Sequence, residues 1–107
     1  MDPRYNQLAK VLTTFSTNLA SGDNVLIDAQ DVPEDIVIAI VRAARDCGAN
    51  PFVVIQKARI SRELLKGGSA NEYAGWSRVE LERMKNMHAY IALRGSNNIF
   101  ESSDVPA

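Results

Sequence analysis

The sequence predicts an α/β domain: a mainly parallel sheet of about three strands with helices on both faces, a three-layer and incomplete Rossmann-like arrangement. Two short apolar runs, 24–28 and 51–55, are bounded by turn residues and predict buried strands. Between them, from 33 to 47, apolar residues recur at helical spacing. Two buried strands joined by one helix are expected to pair in parallel through a right-handed crossover.

Composition favours one small globular domain and disfavours several kinds of partner. The chain has 107 residues, of which 46% are hydrophobic. Its formal net charge of −1 provides no field that would attract nucleic acid or an anionic membrane. Cys47 is the only cysteine, which suits a reducing compartment, so we expect the cytoplasm. No leader pattern opens the chain, and no apolar run approaches the ~20 residues of a membrane span.

The first helix is expected to begin at Asp2-Pro3 and to end at Gly22. Its large apolar residues are spaced three or four apart and should form one face against the sheet. That predicted face consists of Tyr5, Leu8, Leu12, Phe15 and Leu19.

The second helix carries signals at both ends. Asp31 and Glu34 have the spacing of a capping box, which predicts side-chain hydrogen bonds to the first turn. Gly48 supplies the left-handed residue that commonly follows a helix.

The pattern is looser after the second strand. Residues 61–66 predict a short helix, and 70–87 predict one bent helix or two short ones after a capping box at Ser69 and Glu72. Residues 88–93 predict a third parallel strand. Residues 104–106 repeat the Asp-Val-Pro of 31–33, a helix start with no helix after it. With so thin a sheet, this predicts that residues 1–107 are most or all of the N-terminal α/β domain of a larger protein.

Ligands of open parallel sheets bind at the carboxyl ends of the strands. The candidate strand-end ligand loop comprises Asp28, Arg94, Ser96 and Asn97. The planar guanidinium of Arg94 offers several hydrogen-bond donors, and Gly95 would let a ligand approach the backbone N–H groups closely. A polar turn leaving a buried strand is the structural alternative. The loop after the first strand has no glycine, so the dinucleotide fingerprint is absent, and its carboxylates suit helix capping better than Mg²⁺.

Structural roles are expected for the other notable side chains. His88 has no second histidine or cysteine partner for a zinc set, and Cys47 lies at the negative end of a helix dipole, where it is a poor nucleophile. Tyr73 and Trp76 are expected to fill a core or an interface, with a partner-binding patch as the alternative.

Several stretches together resemble the N-terminal region of the thermophilic-type metallo-aminopeptidases, the aminopeptidase T and aminopeptidase S family. The stretches are Asp-Pro-Arg at 2–4, Ser-Gly-Asp-Asn-Val-Leu-Ile at 21–27, Ala-Arg-Asp-Cys-Gly-Ala-Asn-Pro at 44–51, His-Ala-Tyr-Ile-Ala-Leu-Arg-Gly-Ser at 88–96 and Ser-Asp-Val-Pro at 103–106. Their order and spacing cover essentially the whole chain.

The resemblance implies a longer, homodimeric hydrolase that releases N-terminal amino acids from peptides. Its paired divalent metals, of the zinc, cobalt or magnesium type, would be held by glutamates, histidines and an aspartate in a downstream catalytic domain. No catalytic or metal-binding residue carries over to this chain, which is expected to be inactive alone and to shape the cleft or the dimer contact. The alternatives are a free-standing α/β module that binds a small ligand and an oligomerisation module.

Overall fold

The computed structural model describes residues 3–95, which form three strands and a series of helices. In chain order the elements are α1 (Pro3–Val11) with a π-helical turn (Leu12–Ser16), β1 (Asn24–Gln30), α2 (Glu34–Asp46), β2 (Asn50–Gln56), α3 (Ala58–Gly67), α4 (Ala70–Lys85) and β3 (Ala89–Arg94). All three predicted strands are present. The region predicted as one bent helix or two short ones is a single continuous helix, α4. The short helix predicted for residues 61–66 is α3, which is longer than expected.

The sheet is parallel, with β1 in the centre of the order β2-β1-β3. In the register, Ile27 of β1 lies opposite Val53 of β2 and Ile91 of β3. The chain moves to one side of β1 to form β2 and then returns past β1 to form β3. Because such crossovers are right-handed, α2 and the α3–α4 pair lie on opposite faces of the sheet. The predicted α/β three-layer class is therefore confirmed.

The core lies on the odd-numbered face of the sheet, beneath α1 and α2. Val25 and Ile27 of β1 are fully buried there against Ile40 and Ala44 of α2. Complete burial of an isoleucine side chain contributes about 1.5–3 kcal/mol, so this face provides most of the apolar stabilisation. The helical stripe predicted for α2 is confirmed, as is the left-handed backbone of Gly48, with φ +80°.

The predicted inner face of α1 is partly wrong. Leu8 and Phe15 are 46% and 81% exposed, whereas Ala9 and Thr13 are buried. The helix packs closely against α2, and small side chains at that contact allow the two backbones to approach. Tyr5, Leu12 and Leu19 pack at the margin of the core as expected.

The first helix also ends earlier than Gly22. Its final turn widens into a π-helix at Leu12–Ser16. The Thr17 hydroxyl donates to the carbonyl oxygen of Leu12 at 2.8 Å, competing with continued helical bonding. Asn18 then adopts φ +50°, a left-handed conformation that stops the helix.

One of the two predicted capping boxes is wrong. Ser69 accepts a hydrogen bond from the Glu72 backbone N–H at 3.2 Å, as expected for the start of α4. Asp31 instead has φ +55°, and α2 begins after Pro33 without a side-chain cap. The Asp31 carboxylate accepts from the backbone N–H of Ala58 at 3.1 Å, so it caps the first turn of α3.

Within the described residues, no helix is long and apolar enough to cross a bilayer.

Asp31→Ala is expected to lower the free energy of unfolding by about 1–2 kcal/mol, because it removes the cap of α3 and places alanine in a left-handed conformation. Asp31→Asn, which retains an acceptor and tolerates that backbone, serves as the matched control. Urea unfolding measures the loss, and amide hydrogen exchange across α3 locates it. Unchanged exchange in α3 of the alanine variant would show that Asp31 does not hold this helix.

Candidate functional site

A polar cluster spans all three strands toward their carboxyl ends, and Tyr90 reaches it from the amino-terminal part of β3. The strand-end cluster consists of Asp28 of β1, Gln56 of β2, and Tyr90 and Arg94 of β3. The register places these even-numbered residues on the face of the sheet opposite the core. Parallel pairing therefore brings together side chains that lie up to 66 positions apart in the sequence.

Asp28 is the centre of this cluster and is 8% exposed. One carboxylate oxygen, Oδ1, accepts from Gln56 Nε2 at 2.9 Å. The other, Oδ2, accepts from the Tyr90 hydroxyl at 2.7 Å and from Arg94 Nη2 at 3.3 Å. Both oxygens are thus occupied by donors from the two neighbouring strands.

Arg94 is committed to the same carboxylate and to the backbone around it. Its Nη1 donates to the carbonyl oxygens of Asp28 at 3.2 Å and Leu93 at 3.0 Å. Its side chain is 42% exposed, so one side of the guanidinium still faces solvent. On the other flank, the Ser61 hydroxyl lies 3.4 Å from Gln56 Oε1 and links α3 to the cluster.

The cluster is suited to holding strands in register and unsuited to binding a metal. Both oxygens of Asp28 already accept hydrogen bonds from neighbouring strands, and the Arg94 guanidinium occupies the position beside Oδ2 that a cation would take. Across residues 3–95, no group of three or more His, Cys, Asp or Glu side chains is arranged to hold a metal ion. The paired metals implied by the resemblance do not fit the described residues.

Two of the four residues predicted for the ligand loop meet in the structure. Asp28 and Arg94 form the ion pair, while Ser96 and Asn97 lie outside the described residues. Tyr90 and Gln56 were missed by the sequence analysis. Alternation along the predicted third strand places Tyr90 on the same face as Arg94, which was the available signal for Tyr90; Gln56 lies one residue beyond the predicted second strand.

Gly95 brings the end of β3 against the loop after β1. Its N–H donates to the Gln30 carbonyl oxygen at 2.9 Å. A β-carbon at this position would lie 2.6 Å from the Asp31 carbonyl oxygen and 3.0 Å from a Val32 methyl group. Only glycine fits this approach without a backbone shift.

His88 and Cys47 have the structural surroundings expected of them. His88 pairs with Asn24 at the opposite, amino end of the strands. Its ring Nδ1 accepts a hydrogen bond from the backbone N–H of Asn24 at 2.9 Å, and the backbone N–H of His88 donates to the Asn24 carbonyl oxygen at 2.8 Å. Accepting at Nδ1 assigns the neutral imidazole its proton at Nε2. Cys47 is half-buried at the C-terminus of α2.

An apolar groove of about 650 Å³ lies beside β2, between α3 and α4. The α3–α4 groove is lined by Val54 of β2, Ile60, Leu64 and Leu65 of α3, and Tyr73 and Trp76 of α4. Tyr73 and Trp76 remain 42% and 48% exposed, so neither is the core residue that one prediction allowed. The alternative, a partner-binding patch, agrees with this exposure.

Gly95→Ala is expected to lower the free energy of unfolding by about 1–3 kcal/mol, because its methyl group would overlap the Asp31 backbone. Gly75→Ala is the matched control, because a β-carbon at this position would have no atom of another part of the described chain within 4 Å. In the interior of α4 this control should raise stability by about 0.5–1 kcal/mol. Urea denaturation of both variants checks the pair, and equal effects would contradict the close contact at Gly95.

Burial raises the pKa of Tyr90 above its ordinary value of 10.0, and the hydrogen bond to Asp28 raises this pKa further, with Arg94 opposing. The residue as a whole is 42% exposed, but its hydroxyl lies against the buried carboxylate. The folded state therefore holds this proton more tightly than the unfolded state does. The resulting stabilisation is present below pH 10.0 and is lost as pH rises through the raised pKa.

Tyr90 is accordingly expected to ionise at a higher pH in the folded chain than in the unfolded chain, which gives the alkaline titration a late step. Ultraviolet absorbance of tyrosinate, followed during an alkaline titration, measures this, and Tyr90→Phe should remove the late step. Tyr73→Phe, at a tyrosine of equal exposure, is the control and should leave the late step in place. A late step that survives in the Tyr90 variant would contradict the assignment.

Comparison with known proteins identifies a family that the sequence matches and a solved structure with a similar fold. A model of the thermophilic metalloproteases, family M29, matches residues 1–106. No curated protein matches the chain. Among solved structures, wild-type AmpT from Thermus thermophilus is similar, with a TM-score of 0.60 and 24% identity over 87% of this chain and 25% of that one. The chain thus spans about a quarter of the AmpT chain. Because the family model matches residues 1–106, the chain belongs to the thermophilic metalloprotease family M29.

Proposed function

We propose that this chain is the N-terminal, non-catalytic portion of a two-metal aminopeptidase that releases N-terminal amino acids from peptides. The proposal rests on how much of this chain the family model matches and how little of AmpT the chain spans. The family model matches residues 1–106, nearly the whole chain, yet the chain corresponds to only a quarter of AmpT. The share of AmpT outside the match has room for a catalytic domain.

The side chains of the described residues support a scaffold role. The most deeply buried carboxylate, Asp28, is fully engaged by donors, and Asp31 caps a helix. Catalytic carboxylates and metal ligands need free oxygens directed at a ligand. We therefore assign the divalent metals, of the zinc, cobalt or magnesium type, to the downstream catalytic domain of the same protein.

The sheet supports the same proposal. Among residues 3–95 the sheet has three strands, and β2 and β3 are its edges, each without a partner on one side in that part of the chain. Parallel sheets are normally larger and covered on both faces, because exposed edges invite further pairing. In the proposed enzyme, this portion shapes the substrate cleft or the contact of a homodimer. A cytoplasmic location accompanies the proposal, since the chain has a single cysteine.

A second function is favoured by the position of Arg94. In a sheet of this order, ligands bind where neighbouring crossovers diverge, between the carboxyl ends of β1 and β3. Arg94 lies there with its side chain 42% exposed and can still donate to a carboxylate or phosphate. A free-standing module for a small anionic ligand would use this position.

The test of the leading proposal compares two proteins. The 107-residue chain, freed of contaminating peptidases and loaded with Zn²⁺, Co²⁺ or Mg²⁺, is expected to retain no stoichiometric metal and to leave aminoacyl-nitroanilides intact. The product of the uninterrupted reading frame is expected to hydrolyse them and to lose activity after chelation. Hydrolysis by the short chain alone would contradict the proposal.

The second function has its own measurement. Thermal shift with inorganic phosphate or free amino acids should leave the chain unchanged if it is only a scaffold, since a true ligand raises stability by mass action. Arg94→Lys, which retains the charge and loses the planar fork, separates specific anion binding from a general charge effect.

A further inference from the structure

The helices α3 and α4 form a layer whose apolar side chains remain exposed. Together they run from Ala58 to Lys85, and neither helix contributes a buried residue. The core side of the sheet, by contrast, is closed by α2, which buries five residues. A helix layer normally stabilises a domain by burying one apolar face, so this layer lacks its covering partner within the described residues.

The groove between these helices is held open by specific contacts. The Tyr73 hydroxyl of α4 donates to the Leu65 carbonyl oxygen of α3 at 2.6 Å. At the turn between the helices, a β-carbon on Gly68 would lie 2.5 Å from the Tyr73 ring, so the ring packs directly on the turn. These contacts fix the angle between the two helices. The apolar surface is consequently a preformed concavity.

The chemistry of the groove is that of an interface between protein segments. Its floor is aliphatic and aromatic, and its rim carries charges of both signs, among them Lys57, Glu72 and Glu80. Apolar centres with polar rims are typical of protein–protein contacts. A nucleic acid or an anionic surface would require one sign of charge, which this rim does not have.

We propose that the α3–α4 groove binds the polypeptide that follows residue 107 in the proposed enzyme. An apolar segment of the catalytic domain would pack on Trp76 and Leu64. This rests on the proposed function. Its support is the length of the similar enzyme that has no counterpart in this chain: about three quarters of AmpT lies outside the matched part. Tryptophan in a preformed pocket is the kind of residue that dominates the energy of such contacts.

Hydroxyl-radical footprinting read by mass spectrometry tests this contact directly, because Trp76 is the only tryptophan among residues 1–107. Labelling of Trp76 and Tyr73 is compared between the 107-residue chain and the product of the full reading frame. We expect labelling of both to fall at least about threefold in the longer protein, as buried interface side chains lose contact with solvent. Phe15 in the π-helical turn after α1, which is 81% exposed on the other side of the sheet, is the internal control and should keep its labelling.

Equal labelling of Trp76 in the two proteins would overturn the proposal. So would protection that appears in the short chain as its concentration rises, since the occupant would then be a second copy. Trp76→Ser in the longer protein should increase labelling of Leu64 and Leu65, whereas Leu81→Ser, on α4 outside the groove lining, should not. Protection of the groove in a longer protein without peptidase activity would support this contact while refuting the proposed function.

Discussion

The buried carboxylate of Asp28 helps to determine how the carboxyl-terminal halves of the three strands are aligned. An unpaired carboxylate in the largely buried position of Asp28 would carry an uncompensated cost of lost hydration. The cost is offset only when β2 delivers Gln56 and β3 delivers Tyr90 and Arg94. A register slip of one residue would turn these donors to the other face. The polar cluster therefore reinforces the strand alignment that the buried apolar residues on the other face of the sheet also require.

Contacts at the same end of β1 extend this order beyond the sheet. Asp31 adopts a left-handed backbone, and its carbonyl oxygen lies where only a glycine, Gly95, can pass. Its carboxylate at the same time caps α3. Through this one residue, the end of β3 and the start of α3 are positioned relative to β1. The α3–α4 layer thus has a fixed place although it buries none of its own side chains.

The elements were predictable from the sequence because their signals are local. Alternating turns and apolar runs located β1, α2 and β2, and the capping serine at 69 located α4. The inner face of α1 was predicted wrongly because spacing shows that a helix has an apolar stripe and does not show what the helix packs against. Here α1 lies against α2, where Ala9 fits better than Leu8. The role of Asp31 was missed for a similar reason, since its partner Ala58 is 27 positions away.

The strand-end cluster was half predictable for a physical reason that also bears on function. A rule for parallel sheets placed Asp28 and Arg94 at one edge, but it could not say whether their charges would face a ligand or each other. The structure pairs them, and the donors of Gln56 and Tyr90 complete the pairing. A site that satisfies itself stabilises a fold, whereas a catalytic site leaves polar atoms waiting for substrate. In the described residues, the polar atoms of Asp28 at the strand ends are paired within the sheet, whereas the apolar groove beside β2 remains exposed.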